Sequence, residues 1–235
     1  MTHIIDREEI VLELLKGQGR TVTGPFYING GQCDRTIEAW PYDPIEAARL
    51  LDEAGWVDTD NDGVRDRKGR PFRFALMYAS DNVLYRKVCK YVKDEAAKLG
   101  IEVNAQPLEW SVLIGLVSER QFEAVLMGWA GDILEDAYRV WHSSQTGGGG
   151  CNFVGFNNPE ADRIIELARG ALDGSVRNQL YHGLHRIFHE QQPYTFLFTR
   201  PSFRLINGRF ENVKVYNLGL KYWQWYVPEE RQRYK

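Results

Sequence analysis

An indole ring and a carboxylate stand close together in the segment FEAVLMGWAGD, as Trp129 and Asp132. The apolar residues before them predict a strand, and open α/β sheets place their ligand crevices at the carboxyl ends of strands. A carboxylate in a partly desolvated crevice binds an ammonium group through charge-assisted hydrogen bonds, and an indole covers apolar surface. The segment therefore predicts a site for an amine-bearing ligand. A loop-capping aspartate and a core tryptophan are the structural alternatives.

A second set of carboxylates has the spacing of a calcium-binding loop. The pattern DxDxDG consists of Asp58, Asp60, Asp62 and Gly63. In such loops alternate carboxylates and a tight glycine turn converge on one ion, and Asp66 falls where a ligand often binds through water. Gly69, however, occupies the position of the usual bidentate glutamate. We expect either a structural calcium site or an Asx-rich turn that joins a helix to a strand.

Three histidines could bind zinc and so support a metal-dependent hydrolase. His182, His185 and His189 lie at i, i+3 and i+7, which places their imidazoles along one side of a helix. An apolar stripe made of Tyr181 and Phe188, among others, runs immediately beside them. The stripe favours histidines at the edge of a core over a metal site.

A serine hydrolase that uses His142 is the other enzymatic alternative. Ser143 and Ser144 follow this histidine directly. Neighbouring side chains diverge and rarely supply a nucleophile and its base, so a polar loop is the simpler interpretation. The sequence also lacks a nucleophile elbow, a P-loop and a dinucleotide-binding fingerprint. We therefore expect a protein that is not an enzyme, unless a catalytic pair converges in one cleft.

The elements that must position these residues alternate between helices and strands. Capping residues and periodicity predict helices at 7–15, 45–54, 83–99, 111–119, 159–172 and 175–190. Apolar or period-two runs predict strands at 72–78, 101–106, 122–129 and 194–199. Such alternation requires crossover connections, so we expect an α/β fold with a mixed, mostly parallel sheet flanked by helices. The alternation ends after Arg200.

The composition excludes some classes of function. The 29 Lys and Arg against 32 Asp and Glu give a net charge of −3 without a basic block, which disfavours nucleic-acid binding. The cysteines form neither a metal-type pair nor an even disulfide framework, although Cys33 and Cys151 could bridge in an oxidising compartment. Residues 1–6 lack the features of a secretion signal, and no apolar run has the ~18 residues of a membrane span.

Several blocks of the sequence occur together in one known family. They are IIDREEIVLELLKGQG, YDPIEAARLLDEAGW, GWAGD, WHSSQ, GFNNPEADRIIELA and HEQQPYTFLF. In this order and spacing the blocks resemble the peptide-binding class of extracellular solute-binding proteins, the receptors of oligopeptide, dipeptide and nickel ABC importers. The resemblance covers nearly the whole chain and implies a lobe of the type II periplasmic-binding-protein fold.

The resemblance also implies roles for individual residues. In the family the aspartate of the GW-x-x-D motif pairs with the amino terminus of the ligand, and by position this role falls to Asp132. Trp129 would pack on the ligand backbone, with Ala130 beside it in the motif. Trp110 would line a side-chain pocket. Tyr138 would shape one pocket or simply fix the loop.

Family members are longer, with a secretion signal and a first lobe before the block at Asp6. The resemblance thus implies that residues 1–200 form the second lobe and that residues 201–235 return towards the first. We expect a receptor that binds peptides or related amine-bearing solutes between two lobes and delivers them to an ABC permease, in the periplasm or at the cell surface. No cofactor is required beyond the possible calcium ion. A calcium-stiffened interaction module is the remaining alternative.

Overall fold

The computed structural model describes residues 1–130, 134–216 and 219–233. These residues form two compact units, which divide between Arg200 and Pro201. Within the described residues, no helix is both long enough and apolar enough to cross a membrane. All three cysteines are free thiols, so Cys33 and Cys151 do not form the bridge that their sequence context would allow.

The first unit carries all the α-helices and most of the strands of the described residues. The helices are α1 (Arg7–Glu9), α2 (Pro44–Glu53), α3 (Val83–Ala97), α4 (Trp110–Ser118), α5 (Tyr138–Trp141), α6 (Pro159–Gly170) and α7 (Gly174–Gln191). The strands are β1 (Arg20–Thr21), β2 (Asp66–Arg67), β3 (Arg70–Pro71), β4 (Arg73–Ala79), β5 (Glu102–Leu108), β6 (Ala124–Val125) and β7 (Phe198–Thr199), with β8 (Val215–Tyr216) and β9 (Gly219–Leu220) in the second unit. A π-helix, Ile10–Leu14, continues α1.

Side-chain caps fix where the helices begin. Asp43 accepts a hydrogen bond from the backbone of Glu46 at 2.9 Å at the start of α2, and Asn158 caps α6 in the same way. Both caps confirm the sequence prediction, which rests on an Asx residue followed by proline. Helix α7, in contrast, begins one residue earlier than expected, because Asp173 caps it.

A three-stranded parallel sheet in the order β5-β4-β6 forms the centre of the first unit. Strand β6 is much shorter than the predicted strand at 122–129, because it pairs only with Leu76 and Met77. Before it, the backbone N–H of Ala75 donates to the carboxylate of Glu123 at 2.7 Å, so a side chain replaces strand pairing. The α/β fold with a mostly parallel sheet is confirmed.

Helices cover both faces of this sheet. On one face, Leu76 and Tyr78 of β4 belong to the same buried cluster as Val88 and Val92 of α3. On the other face, the alternate residues Met77 and Ala79 pack with Leu113 and Val117 of α4. Burial on both sides explains why β4 reads as an apolar run, as in other parallel sheets.

A second cluster lies around α5, α6 and α7. Trp141 and Phe188 stand with ring centroids 4.4 Å apart in its centre, surrounded by Ile165 and Leu184. The predicted strand at 194–199 shortens to β7, which pairs antiparallel with β1 and not with the central sheet.

The second unit contains one β-hairpin, formed by β8 and β9, and an isolated bridge between Glu211 and Tyr226. Several of its apolar side chains are exposed, including Leu205 and Trp223.

Candidate functional site

Two tryptophans lie at the carboxyl edge of the parallel sheet. Strand β5 ends at Leu108 and leads into Trp110, the first residue of α4, while β6 ends at Val125 and leads into Trp129. Trp110 is 50% exposed and Trp129 is 52% exposed. Both ring systems therefore present apolar surface to solvent at the edge where open α/β sheets bind ligands.

Trp129 is held by aromatic partners. Its indole stacks on Phe153 with centroids 6.1 Å apart and an interplanar angle of 7°. Burial raises the pKa of Tyr194, and a side-chain hydrogen bond with Trp129 acts in the opposite direction. These contacts orient the ring without burying it, which disfavours the core-tryptophan alternative.

The first turn of α4 fixes the backbone at Trp110. The carboxylate of Glu109 accepts hydrogen bonds from the backbone N–H groups of Ser111 at 2.8 Å and Val112 at 3.3 Å, and from the Ser111 hydroxyl. The bond from the Ser111 side chain is the main reason that the pKa of Glu109 is lowered. A charged cap at a helix start stabilises that turn, so Trp110 projects from a well-anchored position.

Tyr85 is a residue at this edge that the sequence reasoning missed. A Cβ atom added at Gly128 would lie 2.8 Å from the Tyr85 hydroxyl oxygen, so the hydroxyl sits against the backbone just before Trp129. Tyr85 belongs to the first turn of α3, which follows β4. The signal was available, since the helix after a parallel strand starts at the carboxyl edge of the sheet.

The remaining predicted ligand residues lie along the following loop. Ala130 is exposed directly after Trp129, and Asp132 lies outside the described residues. The Tyr138 ring lies between the His142 ring and the Arg169 guanidinium. The centroid of the Tyr138 ring is 4.3 Å from that of His142 and 4.4 Å from Arg169 Cζ. These contacts show how Tyr138 is fixed, while its contact with a ligand stays a prediction.

The aspartate-rich loop gathers part of the predicted calcium set. Asp58, Asp60 and Asp62 offer carboxylate oxygens that all lie within 4.8 Å of one another. Asp66 is used differently, because its carboxylate accepts hydrogen bonds from the backbone and hydroxyl of Thr59 at 3.0 and 2.5 Å, and the hydroxyl bond is the main reason its pKa is lowered.

Backbone groups already occupy several carboxylate oxygens of this loop. Gly63 donates to Asp58 at 3.0 Å, and Val64 donates to Asp62 at 2.8 Å. These bonds are those of the Asx-rich turn, which explains the loop without an ion. Calcium binding by Asp58, Asp60 and Asp62 stays a prediction, and Asp66 is not grouped with them.

The three histidines of α7 do not converge on one point. His185 is 1% exposed, accepts a hydrogen bond at Nδ1 from the backbone of Asp34 at 3.1 Å and lies 3.0 Å from the Thr23 hydroxyl through Nε2. His182 donates to the carbonyl of Gly31, and the His189 ring stacks on Trp40. Each imidazole has a separate structural partner, so the zinc hypothesis is wrong for this arrangement.

The His142 region has a geometry that the sequence reasoning did not expect. Neighbouring side chains were expected to diverge, yet Ser144 Oγ lies 2.8 Å from His142 Nδ1. The same nitrogen accepts the backbone N–H of Ser144 at 3.1 Å, so the imidazole caps the turn that follows it. Ser143 is bound to Asp162 instead, at 2.5 Å between its hydroxyl and the carboxylate. The contact is therefore explained by local turn structure.

Two cavities lie away from the sheet edge. The larger, of about 240 Å³, is lined by residues between Thr21 and Ala39, and the smaller, of about 150 Å³, lies beside Arg7 and Trp40. No sequence motif predicts a ligand site in the segment that lines the larger cavity.

Comparison with known proteins decides the family. Residues 1–150 match the family described as bacterial extracellular solute-binding proteins, family 5 Middle. The chain belongs to this family. It is 32% identical to the oligopeptide-binding protein AppA of Bacillus subtilis over 92% of this chain and 40% of AppA, and 34% identical to protein XP55 of Streptomyces lividans over 82% of this chain and 35% of that protein.

Solved structures agree with this assignment. The structure of AppA from Bacillus subtilis, in complex with a nonapeptide, matches with a TM-score of 0.85 and 30% identity over 97% of this chain and 46% of AppA. NikZ from Campylobacter jejuni matches with a TM-score of 0.74 and 24% identity over 85% of this chain and 40% of NikZ, which supports the fold alone. The chain thus spans less than half the length of these relatives. Since the family consists of solute-binding proteins, the prediction that the chain is not an enzyme is confirmed.

Proposed function

We propose that this chain is the second lobe of a substrate-binding protein that serves an ABC importer. The ligand is a peptide or a related amine-bearing solute, enclosed between this lobe and a first lobe. The relatives are more than twice as long as the part this chain matches, which is long enough to include such a lobe. Closure of two lobes about a hinge excludes water and strengthens polar contacts. Residues 201–235 return towards the first lobe, and a membrane permease receives the ligand in the periplasm or at the cell surface.

The exposure of Trp110 and Trp129 on one sheet edge is the observation that supports this proposal. Large indole rings held by capped or stacked neighbours provide rigid apolar walls at small conformational cost. The similarity to AppA, whose structure contains a nonapeptide, favours a peptide over other solutes. Asp132 supplies the anchor for the ammonium group in this proposal, by its place in the GW-x-x-D motif.

Replacement of the anchor tests the proposal directly. In the full-length protein, we expect Asp132→Asn to weaken binding of a free-amine peptide by more than about tenfold, because a charge-assisted hydrogen bond is lost in a desolvated cleft. Titration calorimetry with alanine peptides from dipeptide to nonapeptide provides the measurement. Asp94→Asn is the matched control, since Asp94 is an exposed residue of α3 that pairs with Lys90. Unchanged affinity in Asp132→Asn would reject the assignment.

A structural calcium ion at Asp58, Asp60 and Asp62 is a separate part of the proposal. It would stiffen the loop between α2 and β2 and would not contact the ligand. The three clustered carboxylates support it, and Asp58 Oδ1 has no hydrogen-bond partner among the described residues.

A further inference from the structure

The chain contains two Asn-Gly dipeptides, which differ in how their backbone is held. They are Asn29-Gly30, in the loop after β1, and Asn207-Gly208, in the second unit. Asparagine is a thermally labile residue, and a following glycine leaves the backbone free to approach its side-chain amide. Both dipeptides therefore carry the groups for the same modification, and the local structure around each one sets its rate.

This modification is deamidation, which needs no cofactor and uses water as its only co-reactant. The backbone nitrogen of the glycine loses its proton and attacks Cγ of the asparagine, so that an N–Cγ bond forms and the Cγ–Nδ2 bond breaks. Nδ2 takes up a proton and leaves as ammonia, and a cyclic succinimide remains. Water then opens the ring at either carbonyl, which gives aspartate or isoaspartate and adds a negative charge.

The backbone at Asn207-Gly208 is open to this attack. Both residues are exposed, and a Cβ atom added at Gly208 would have no heavy atom of a non-neighbouring residue within 4 Å. Within residues 1–130, 134–216 and 219–233, the backbone N–H of Gly208 has no hydrogen-bond partner. The attacking nitrogen can therefore lose its proton to water, and the chain can move, without breaking a contact.

The side-chain amide of Asn207 is also activated. Its Oδ1 accepts a hydrogen bond from the backbone N–H of Arg209 at 3.0 Å, and its carbonyl accepts one from Phe210 at 3.1 Å. These bonds form a turn that begins at Asn207. Attack on Cγ places negative charge on Oδ1, and the Arg209 donor already points at that atom. The turn thus favours closure of the ring.

The other dipeptide is held in the opposite way. Gly30 is buried, and its backbone N–H donates to the Tyr27 carbonyl at 2.8 Å. The leaving group, Asn29 Nδ2, donates to the Tyr27 hydroxyl at 3.3 Å. The attacking nitrogen must first give up its hydrogen bond, so a local opening of the loop has to precede the reaction.

We propose that Asn207 is a site of spontaneous deamidation, while Asn29 is protected by its turn. This inference does not depend on the proposed function. The new carboxylate lies in a turn whose Gly208 carbonyl accepts a hydrogen bond from the Arg231 guanidinium at 3.4 Å, so it forms close to a cation. Isoaspartate also lengthens the main chain within the turn, which disturbs the bond from Phe210.

Peptide mapping tests the proposal in the full-length protein, because trypsin separates the two sites. Cleavage at arginine releases residues 205–209, with Asn207, and residues 21–35, with Asn29. After incubation at mildly alkaline pH, mass spectrometry measures the loss of each amide, and an isoaspartate methyltransferase labels the isoaspartate. We expect Asn207 to react about tenfold or more faster than Asn29. Equal rates, or an intact Asn207, would overturn the proposal.

Two controls separate the chemistry of the dipeptide from the effect of the fold. Gly208→Ala adds a methyl group in open space and restricts the attacking backbone, so it should slow the reaction at Asn207 by about tenfold and leave Asn29 unchanged. In guanidinium chloride both turns are lost, and the two rates should agree within about threefold. A rate ratio that persists in denaturant would contradict protection by the fold.

Discussion

The carboxyl edge of the sheet and the side of α7 both contain aromatic and polar residues. They differ in whether the polar groups already have hydrogen-bond partners within the protein. Along α7, His185 is buried with both ring nitrogens engaged, and Asp34 is 3% exposed with partners on both oxygens. At the sheet edge, Trp110 and Trp129 are exposed, and the Tyr85 hydroxyl has no partner among the described residues. A polar group that is already satisfied stabilises the fold, whereas an ordered but unsatisfied group is available to a ligand.

The strongest test of this contrast is the removal of Asp34. Its carboxylate accepts hydrogen bonds from the backbone and hydroxyl of Thr36 at 3.0 and 2.7 Å and from Arg186 at 2.6 Å. We expect Asp34→Ala to lower the free energy of unfolding by about 3 kcal/mol, because it leaves part-buried donors unpaired. Urea denaturation measures the change. Asp94→Ala, at an exposed ion pair, should change it by less than about 1 kcal/mol; a similar value for both variants would contradict the contrast.

A pH dependence should come from the same region. Burial lowers the pKa of His185 to about 4 from its usual value of 6.5. Below pH 6.5 the unfolded chain therefore binds a proton at His185 that the folded chain does not bind. The free energy of unfolding decreases as the pH falls from about 6.5 to about 4, and below that pH this group causes no further decrease. Between pH 7 and 5 we expect His185 to account for a loss of about 2 kcal/mol.

A comparison of the unmodified protein with His185→Gln isolates this effect. Urea denaturation gives the free energy of unfolding of each protein at pH 7 and pH 5. Subtracting the change in one protein from the change in the other cancels the contributions of the other titrating groups. A loss of equal size in both proteins would show that His185 is not the group responsible.

Two tryptophans offer a direct comparison of binding and structure. Trp129 and Trp40 are both partly exposed and both stacked, Trp129 on Phe153 and Trp40 on His189 at 5.0 Å between centroids. We expect Trp129→Ala to weaken peptide affinity by about tenfold through the loss of an apolar wall. Trp40→Ala should affect only stability, since the indole it removes stacks on His189 and donates from Nε1 to the His189 carbonyl at 3.0 Å. Calorimetry measures the peptide affinity of both variants, and thermal unfolding measures their stability. Equal effects on affinity would contradict the proposal that the carboxyl edge of the sheet binds the ligand.

The sequence predicted the helices of this protein better than its strands. Caps such as Asp43 and Asn158 bind backbone groups only three residues away, so the helix starts that they fix can be predicted without knowledge of the fold. The lengths of β6 and β7 depend on which distant backbone they meet, as the pairing of β7 with β1 shows. Trp129 could be found because it follows a predicted strand, and Trp110 through the family resemblance, whereas the approach of the Tyr85 hydroxyl to Gly128 arises from packing between segments far apart in the chain.

The smallest expected effect concerns the calcium loop, where the contrast between satisfied and unsatisfied groups is least sharp. Backbone donors bind one oxygen each of Asp58 and Asp62, yet Asp58 Oδ1 is unpaired among the described residues. With few ligands and no bidentate glutamate, only weak binding is expected, at millimolar calcium. We predict that the melting temperature rises by about 1–3 °C between excess chelator and about 5 mM calcium, through preferential binding to the folded state.

Asp60→Asn should abolish this rise, because it removes a carboxylate charge from the cluster while keeping its shape. Asp66→Asn is the informative counterpart: its carboxylate serves Thr59, so the variant should lower the melting temperature with and without calcium and leave the increment intact. If the unmodified protein melts at the same temperature in both conditions, the loop is an Asx turn whose backbone donors already satisfy it. The unpaired oxygen of Asp58 would then be a tolerated cost of the turn and not a sign of a ligand. An unsatisfied polar group would in that case indicate a binding site only where it lies beside exposed apolar side chains, as at the sheet edge.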